Sequence, residues 1–273
     1  MSKLIKKGNI LTLTPKNTSV RTKELQLAQE IQKYLLPQKF PLPHKIDVGS
    51  LYLPSKHIGG DFYDAITIDN RRAAFVIGDI SGHSIPAALF MTQCISLIRA
   101  YLKMNFSLTK VLEATNDLLL ETAKPDMFSS AFVGIYDSHF NHFTYVNAGH
   151  NPPILTRTSW NTPSTDFQPN MMLVAEGMAL NCSKDFFLEE KKIQLYEGDI
   201  LTLYTDGIVD VRSHQGDVFG ETKIKECINM AKEQSAENIA DHIFDSILEH
   251  TQDSPHDRDD MAVLILKIRE DNT

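Results

Sequence analysis

Four times in this chain an aspartate stands at one end of a run of sheet-forming apolar residues. Residues 73–78 run into Asp79, residues 200–205 run into Asp206, Asp259 and Asp260 directly precede the run 261–266, and Asp61 follows Gly59 and Gly60 at the mouth of the run 62–68. A carboxylate at the end of a core strand is costly to desolvate unless it is paired or holds a cation, and no Lys or Arg is evident at the matching strand ends. An Asp-Gly pair after a strand is also the ordinary composition of a tight turn, and Asp206-Gly207 taken alone reads that way. Four such junctions, without a Cys pair or a tight His cluster, instead suggest a hard oxygen site suited to Mg²⁺ or Mn²⁺. Such a site can hold two ions about one water and direct it at a phosphorus centre.

Length and composition narrow the setting. The 273 residues are 42% hydrophobic, enough for a sizeable core. Lys plus Arg number 27 against 35 Asp plus Glu, a net charge of -8, so there is no basic footprint for nucleic acid or an anionic membrane. Cys94, Cys182 and Cys227 are odd in number and far apart, which argues against a disulfide framework or a zinc site and fits a reducing cytosol. The N-terminal apolar stretch 10–13 stops at Pro15, too short for a signal-peptide core. Residues 80–98 lack Asp, Glu, Lys and Arg, but Ser81, His83, Ser84, Pro86 and Gln93 make them too polar for a membrane span. A cytoplasmic protein without a transmembrane helix is expected.

Along the chain, Leu25, Ala28, Ile31 and Leu35 recur at helical spacing over residues 21–36 until Pro37, and three prolines in 37–43 form a stiff connector. Strands are predicted at 46–53, 62–68, 73–77, 131–136, 143–147, 154–156, 193–196, 200–204 and 261–268. Pro86 opens a predicted helix with a stripe at Ala88, Met91, Ile95, Ile98 and Leu102; others follow from Ser107, over 221–232 and, capped by Ser235, over 236–249. Strands in consecutive runs and helices in pairs predict an α+β fold of mostly antiparallel sheets. The expected organisation is a tail over 1–20, an amphipathic regulatory helix and connector over 21–43, the main domain over 44–268 and a short tail over 269–273.

The same residues carry a resemblance. Ala28 to Pro37, Ile58-Gly-Gly-Asp-Phe-Tyr-Asp64, Gly78-Asp-Ile-Ser-Gly-His-Ser84 with Pro86-Ala-Ala-Leu89, Asn147-Ala-Gly-His-Asn-Pro-Pro153, Tyr204-Thr-Asp-Gly207 and Asp259-Asp-Met261 stand in an order and spacing that resemble the metal-dependent protein phosphatases of the 2C superfamily. The similar branch is the bacterial one typified by the stage II sporulation protein E and RsbU, and the likeness spans nearly all of 21–268. It implies two packed antiparallel sheets flanked by helices. It also implies two ions, Mn²⁺ or Mg²⁺, held by Asp61, Asp79, the carbonyl of Ile80, Asp206 and one of Asp259 and Asp260, placed at Asp259, with Asp79 bridging and catalysis through ion-activated water. The implied substrate is phosphoserine or phosphothreonine on a protein, a phosphorylated anti-sigma-factor antagonist in a partner-switching pathway, with the helix 21–36 meeting an upstream regulator or a second copy.

The chain also departs from the pattern. Gly82-His83-Ser84 replaces the usual Gly-His-Gly, and Gly177-Met-Ala-Leu-Asn181 replaces Gly-x-Pro-Leu-Gly. Ser81 stands where eukaryotic relatives carry a His beside the central acid, so His83 receives no general-acid role. Two other classes compete: a catalytically inactive binding module that sequesters a partner, which has no reason to keep the acidic set, and a nucleotide cyclase, suggested by Gly59-Gly-Asp-Phe62, whose second acid is replaced by Phe62. His139, His142 and His150 look metal-like, yet His139 and His142 read as solvated residues of a hairpin. Asp64 and Asp210 each stand in one of these motifs, and their roles stay open between a part in the site and a bond to loop backbone; Trp160 is expected on a loop.

Overall fold

The alternation along the central strands dictates a layered fold. In β3 (Ile46–Leu53) Leu51 and Leu53 point to one face while Tyr52 points to the other, and in β12 (Met261–Ile268) Val263 and Ile265 oppose Ala262, Leu264 and Leu266. Both faces are apolar, so both must be covered. The computed structural model, which describes residues 3–7, 10–14, 20–158, 169–252 and 258–269, meets that demand with two stacked sheets between helix pairs.

One sheet has five strands in the order β10 (Glu190–Gln194), β7 (His142–Ala148), β6 (Ser129–Asp137), β5 (Arg72–Ile80), β4 (Phe62–Thr67). The other has seven: β1 (Lys3–Lys7), β2 (Ile10–Thr14), β3, β12, β11 (Ile200–Tyr204), β8 (Ile154–Thr156), β9 (Asn170–Met172). Their inner faces share a core of Tyr52, Tyr63, Phe75, Phe132, Leu203 and Leu264. Helices α2 (Ser84–Lys103) and α3 (Leu108–Thr122) cover the five-stranded sheet; α5 (Gly220–Ala231) and α6 (Ala236–His250) cover the seven-stranded one. Ser107 and Ser235 cap α3 and α6 by accepting from Lys110 N and Asn238 N. Among the described residues α2 alone is long and apolar enough to cross a membrane by composition, and its inner face is packed on β4, β5 and β6.

Several expectations are corrected. The tail predicted over 1–20 contains an antiparallel hairpin, β1 with β2, and β2 joins β3 in the one parallel pairing among the described strands. Helix α2 begins at Ser84, two residues ahead of Pro86, which still sits in the first turn where its missing N–H costs nothing. A short helix, α4 (Asp206–Val209), follows β11 where a turn was expected. Helix α1 (Val20–Leu35) is present, but its buried residues are Gln29 and Gln32 with Leu36 beyond its end, while Ile31 is 57% exposed. The predicted stripe of Leu25, Ala28, Ile31 and Leu35 lines an open groove of about 430 Å³ against α2. Trp160 and residues 270–273 lie outside the described residues.

Candidate metal centre

Register assembles the site. Strands β4 and β5 pair with Phe62 opposite Gly78, so Asp61, just before β4, comes level with Asp79 near the end of β5. In the other sheet Tyr204 stands opposite Val263, and Thr205 N–H donates to the Ala262 carbonyl at 3.1 Å. That places Asp206, the first residue of α4, beside the Asp259-Asp260 pair. Stacking the sheets then sets one acidic pair against the other at the same end of the sandwich.

The electrostatics follow from this crowding. Burial pushes the Asp61 carboxyl well above the usual range, and the charges of Asp79 and Asp260 push it further. Asp79 rises to about 7, first through burial and then through Asp206, Asp259 and Asp260, while its hydrogen bond with Asp61 opposes the rise. Asp206 is raised by burial, then by Asp259 and Asp210. Asp61 is 1% exposed, and its Oδ2 is buried with no hydrogen-bond partner among the described residues. An orphaned acceptor among mutually repelling carboxylates is a donor set that fits a hard divalent cation. No three acidic, imidazole or thiol side chains among the described residues form a finished cage. Asp259 and Asp210 open onto a cleft beside the buried carboxylates, an arrangement suited to an ion that keeps water among its ligands.

The two neighbouring aspartates at β12 differ sharply. Asp260 is 2% exposed and spends both oxygens on backbone, accepting from Ser55 N and Gly60 N at 2.6 Å each. It therefore ties the loop before Asp61 to the other sheet. Asp259 is exposed, its Oδ1 accepting from Asp260 N at 2.8 Å, and it lines the cleft. The glycines around them serve close approach. A Cβ on Gly59 would stand 2.6 Å from the Asp260 carboxyl, and one on Gly207 would run into the Asp260 carbonyl. Gly207 is thus a packing glycine inside α4, without the positive φ of a turn.

The remaining motif residues take other work. Asp64 accepts from Arg99 Nε at 2.7 Å and from Ala65 N at 2.8 Å, and Arg99 also donates to the Leu35 carbonyl at 2.7 Å, linking β4 to the end of α1. Asp210 follows α4 as its exposed C-cap at the cleft. His83 is exposed, its Nδ1 at 3.1 Å from Ser84 Oγ and 3.5 Å from Lys56 Nζ. Ile80 ends β5 with its side chain in the core under α2. Ser84 (φ 69°) and Asn181 (φ 65°) both hold left-handed backbone, so the two departures keep a conformation that glycine adopts freely. Asn181 adds side-chain bonds to the carbonyls of Lys124 and Met127 at 3.1 and 2.7 Å.

His142 and His150 fall at opposite ends of β7, so the three histidines form no site. His150 is buried, its Nδ1 2.7 Å from Ser130 Oγ, and burial lowers its pKa to about 4. Sequence reasoning missed Gln32, which is 5% exposed and bonds Gly59 twice, donating to its carbonyl at 2.7 Å and accepting from its N–H at 3.2 Å. A buried glutamine on a helix gives no signal until its partner, 27 residues on, is known. Arg258 also went unnoticed as a cation at a strand end; it lines the cleft next to Asp259.

Residues 69–269 match the family model of the stage II sporulation protein E (SpoIIE), a span that holds Asp79, Asp206 and Asp259 and begins after Asp61. The phosphoserine phosphatase RsbU of Bacillus subtilis (strain 168) is 27% identical over 244 residues, 89% of this chain and 70% of that protein. The SiaA-PP2C domain of Pseudomonas aeruginosa superposes with a TM-score of 0.77 at 19% identity, covering 92% of this chain and 98% of that one. RsbX in complex with magnesium superposes with a TM-score of 0.59 at 16% identity, covering 82% and 96%. The likeness to these structures gives the fold, and the family model spans most of the chain: the protein belongs to the SpoIIE family and is a phosphatase with the protein phosphatase 2C fold.

Proposed function

We propose that this protein hydrolyses phosphoserine or phosphothreonine on a partner protein with the help of two divalent ions, Mn²⁺ or Mg²⁺. The observation that carries the reading is the meeting of two strand-end acidic pairs, one from each sheet, with a bare buried oxygen on Asp61. Asp61, Asp79 and the Ile80 carbonyl would hold one ion, and Asp79, Asp206 and Asp259 the other. Bound there, the ions would acidify a water and offset charge on the phosphoryl group. The chain's own part is placement. Asp260 and Gln32 fix the backbone of Gly59 and Gly60, so the loop that carries Asp61 is held from two sides.

A phosphorylated anti-sigma-factor antagonist is the substrate we favour, in line with the likeness to RsbU. The test is turnover of a phosphoserine peptide with and without Mn²⁺ or Mg²⁺. Asp79→Asn and Asp206→Asn should each lower kcat by more than the roughly 10–100-fold typical of losing a group that only supports a ligand. They should also abolish the rise in Tm that Mn²⁺ gives the wild type. Near-wild-type turnover in either variant at saturating ion would sink the assignment.

Helix α1 supplies the regulatory contact, toward an upstream protein or a second copy. Leu27, Ile31 and Tyr34 are 58%, 57% and 81% exposed on it, beside Leu89 of α2 at 66%. An apolar surface of this kind marks an interaction site. Ile31→Asp should change the mass seen by light scattering or the response to the regulator; no change in either would reduce α1 to a cap on its own domain.

A further inference from the structure

The cleft is larger than the chemistry needs, and its lining carries cationic as well as acidic side chains. It holds about 770 Å³, in the range that takes a whole drug-sized ligand, so a phosphoseryl side chain fills only part of it. Its lining brings Gly207, Asp210 and Asp259 together with Arg212 and His214 on the segment after α4 and with Arg258 beside Asp259.

Among the described residues no carboxylate comes within 4 Å of Arg212 or Arg258, although the charge of Asp260 acts on Arg258, whereas Arg72, Arg99, Arg157 and Arg269 have ion-pair partners. In a chain with 35 acidic residues against 27 basic ones, two guanidiniums on one cleft without an ion pair among the described residues leave donors for an incoming anion.

The segment that carries Arg212 is a rigid hairpin. Arg212 and Val218 form a β-bridge. Ser213 N donates to the Asp217 carbonyl and Gly216 N to the Ser213 carbonyl, both at 2.9 Å, while Gly216 (φ 90°) makes the left-handed corner. Ser213 Oγ accepts from Gln215 N and Asp217 N at 3.2 Å each, and His250 Nε2, 2.9 Å from the Asp217 carbonyl, pins the tip to α6. Arg212 itself donates one N–H to the Gly216 carbonyl at 3.0 Å, which lays the guanidinium across the hairpin with most of its fork unused. The hairpin starts two residues after α4, so its position is tied to Asp206.

We propose that Arg212 and Arg258 dock an acidic residue flanking the phosphorylated one, so that the cleft selects phosphoserine segments with Asp or Glu beside the phosphate. The selection rests on the phosphatase reading of the cleft, but the charge preference itself is a binding property. Planar guanidiniums receive carboxylates with two parallel hydrogen bonds, which gives the choice direction as well as charge.

Two phosphoserine peptides of equal length, one flanked by Glu and one by Lys, test it. With Mn²⁺ present, kcat/KM should favour the acidic peptide by about tenfold at low salt, mainly through KM, and the ratio should shrink as salt rises. Arg212→Gln, and separately Arg258→Gln, should move the ratio toward one while a thermal melt shows the fold retained. Fluorescence anisotropy of the same labelled peptides gives a readout independent of turnover. Equal binding of the two peptides to the wild type, or an unchanged preference in both variants, would overturn the docking site. Charge-selective binding without ion-dependent hydrolysis of either peptide or of an aryl phosphate would keep the site and overturn the phosphatase reading instead.

Discussion

Strand β11 has an aspartate at each end, and the two live in opposite worlds. Asp199, just before the strand, is 0% exposed and paired with Arg157, whose Nη1 is 3.0 Å from its Oδ2. Arg157 is itself buried, donates to the Gln194 carbonyl at 3.2 Å and lies 5.0 Å above the Tyr196 ring. Asp206, just after the strand, has Asp259 and Asp210 in its field and no ion-pair partner among the described residues. One end has its counter-charge built into the chain. The other leaves it out, and an exchangeable cation can bind only where the chain has not already supplied one. Burial raises the pKa of both aspartates, so a raised carboxyl alone does not mark function; the missing partner does.

The largest expected effect comes from breaking the matched end. Arg157→Leu leaves Asp199 buried without its cation and should cost about 3–5 kcal/mol in urea denaturation, since removing one member of a buried pair strands the other. Asp206→Asn, measured without divalent ions, removes one carboxylate from a repelling group and should be neutral or slightly stabilising, within about 0.5 kcal/mol. If the two substitutions destabilise the ion-free protein equally, the contrast between the ends is false.

The legible part of this molecule is the part written in local pattern. Strands β3, β8, β11 and β12 appear in the sequence at the bounds they have in the structure, because each apolar run is broken by Pro or Asp at one end and by a polar residue at the other. The strand-end aspartates were visible for the same reason, as polar breaks in apolar runs. Whatever depends on a distant partner was not visible. Asp259 and Asp260 look alike until the backbone N–H groups of Ser55 and Gly60, 205 and 200 residues away in the chain, take up both oxygens of one of them. The face by which α1 packs was misread because a glutamine amide, through Gly59, outcompetes the apolar stripe for the buried side. Arg157 and Asp199 are 42 residues apart and gave no hint of pairing. The β1–β2 hairpin was missed because three of the five residues of β1 are lysines and the apolar stretch in β2 is short.

A smaller effect sharpens the comparison through pH. Burial lifts Asp199 from 3.8 to about 6 even though the bond from Tyr196 N and the charge of Arg157 pull it down, so desolvation outweighs the pair. A carboxyl whose folded pKa is raised binds its proton more tightly in the native state. Its contribution is therefore complete below about 4 and is lost as pH rises through about 6. The shift of about two pKa units corresponds to about 3 kcal/mol. Asp199→Asn cannot ionise, and the cost of leaving Arg157 with a neutral partner is an offset that does not vary across this range. The stability of the variant relative to wild type should therefore climb by up to about 3 kcal/mol between pH 4 and pH 7, with the steepest change near pH 5, midway between the unfolded and folded values. Urea midpoints collected at half-unit pH steps read it directly. Parallel curves for the two proteins would mean that the Arg157 charge holds Asp199 ionised throughout, and that the built-in cation at this end of β11 balances its aspartate without a desolvation deficit.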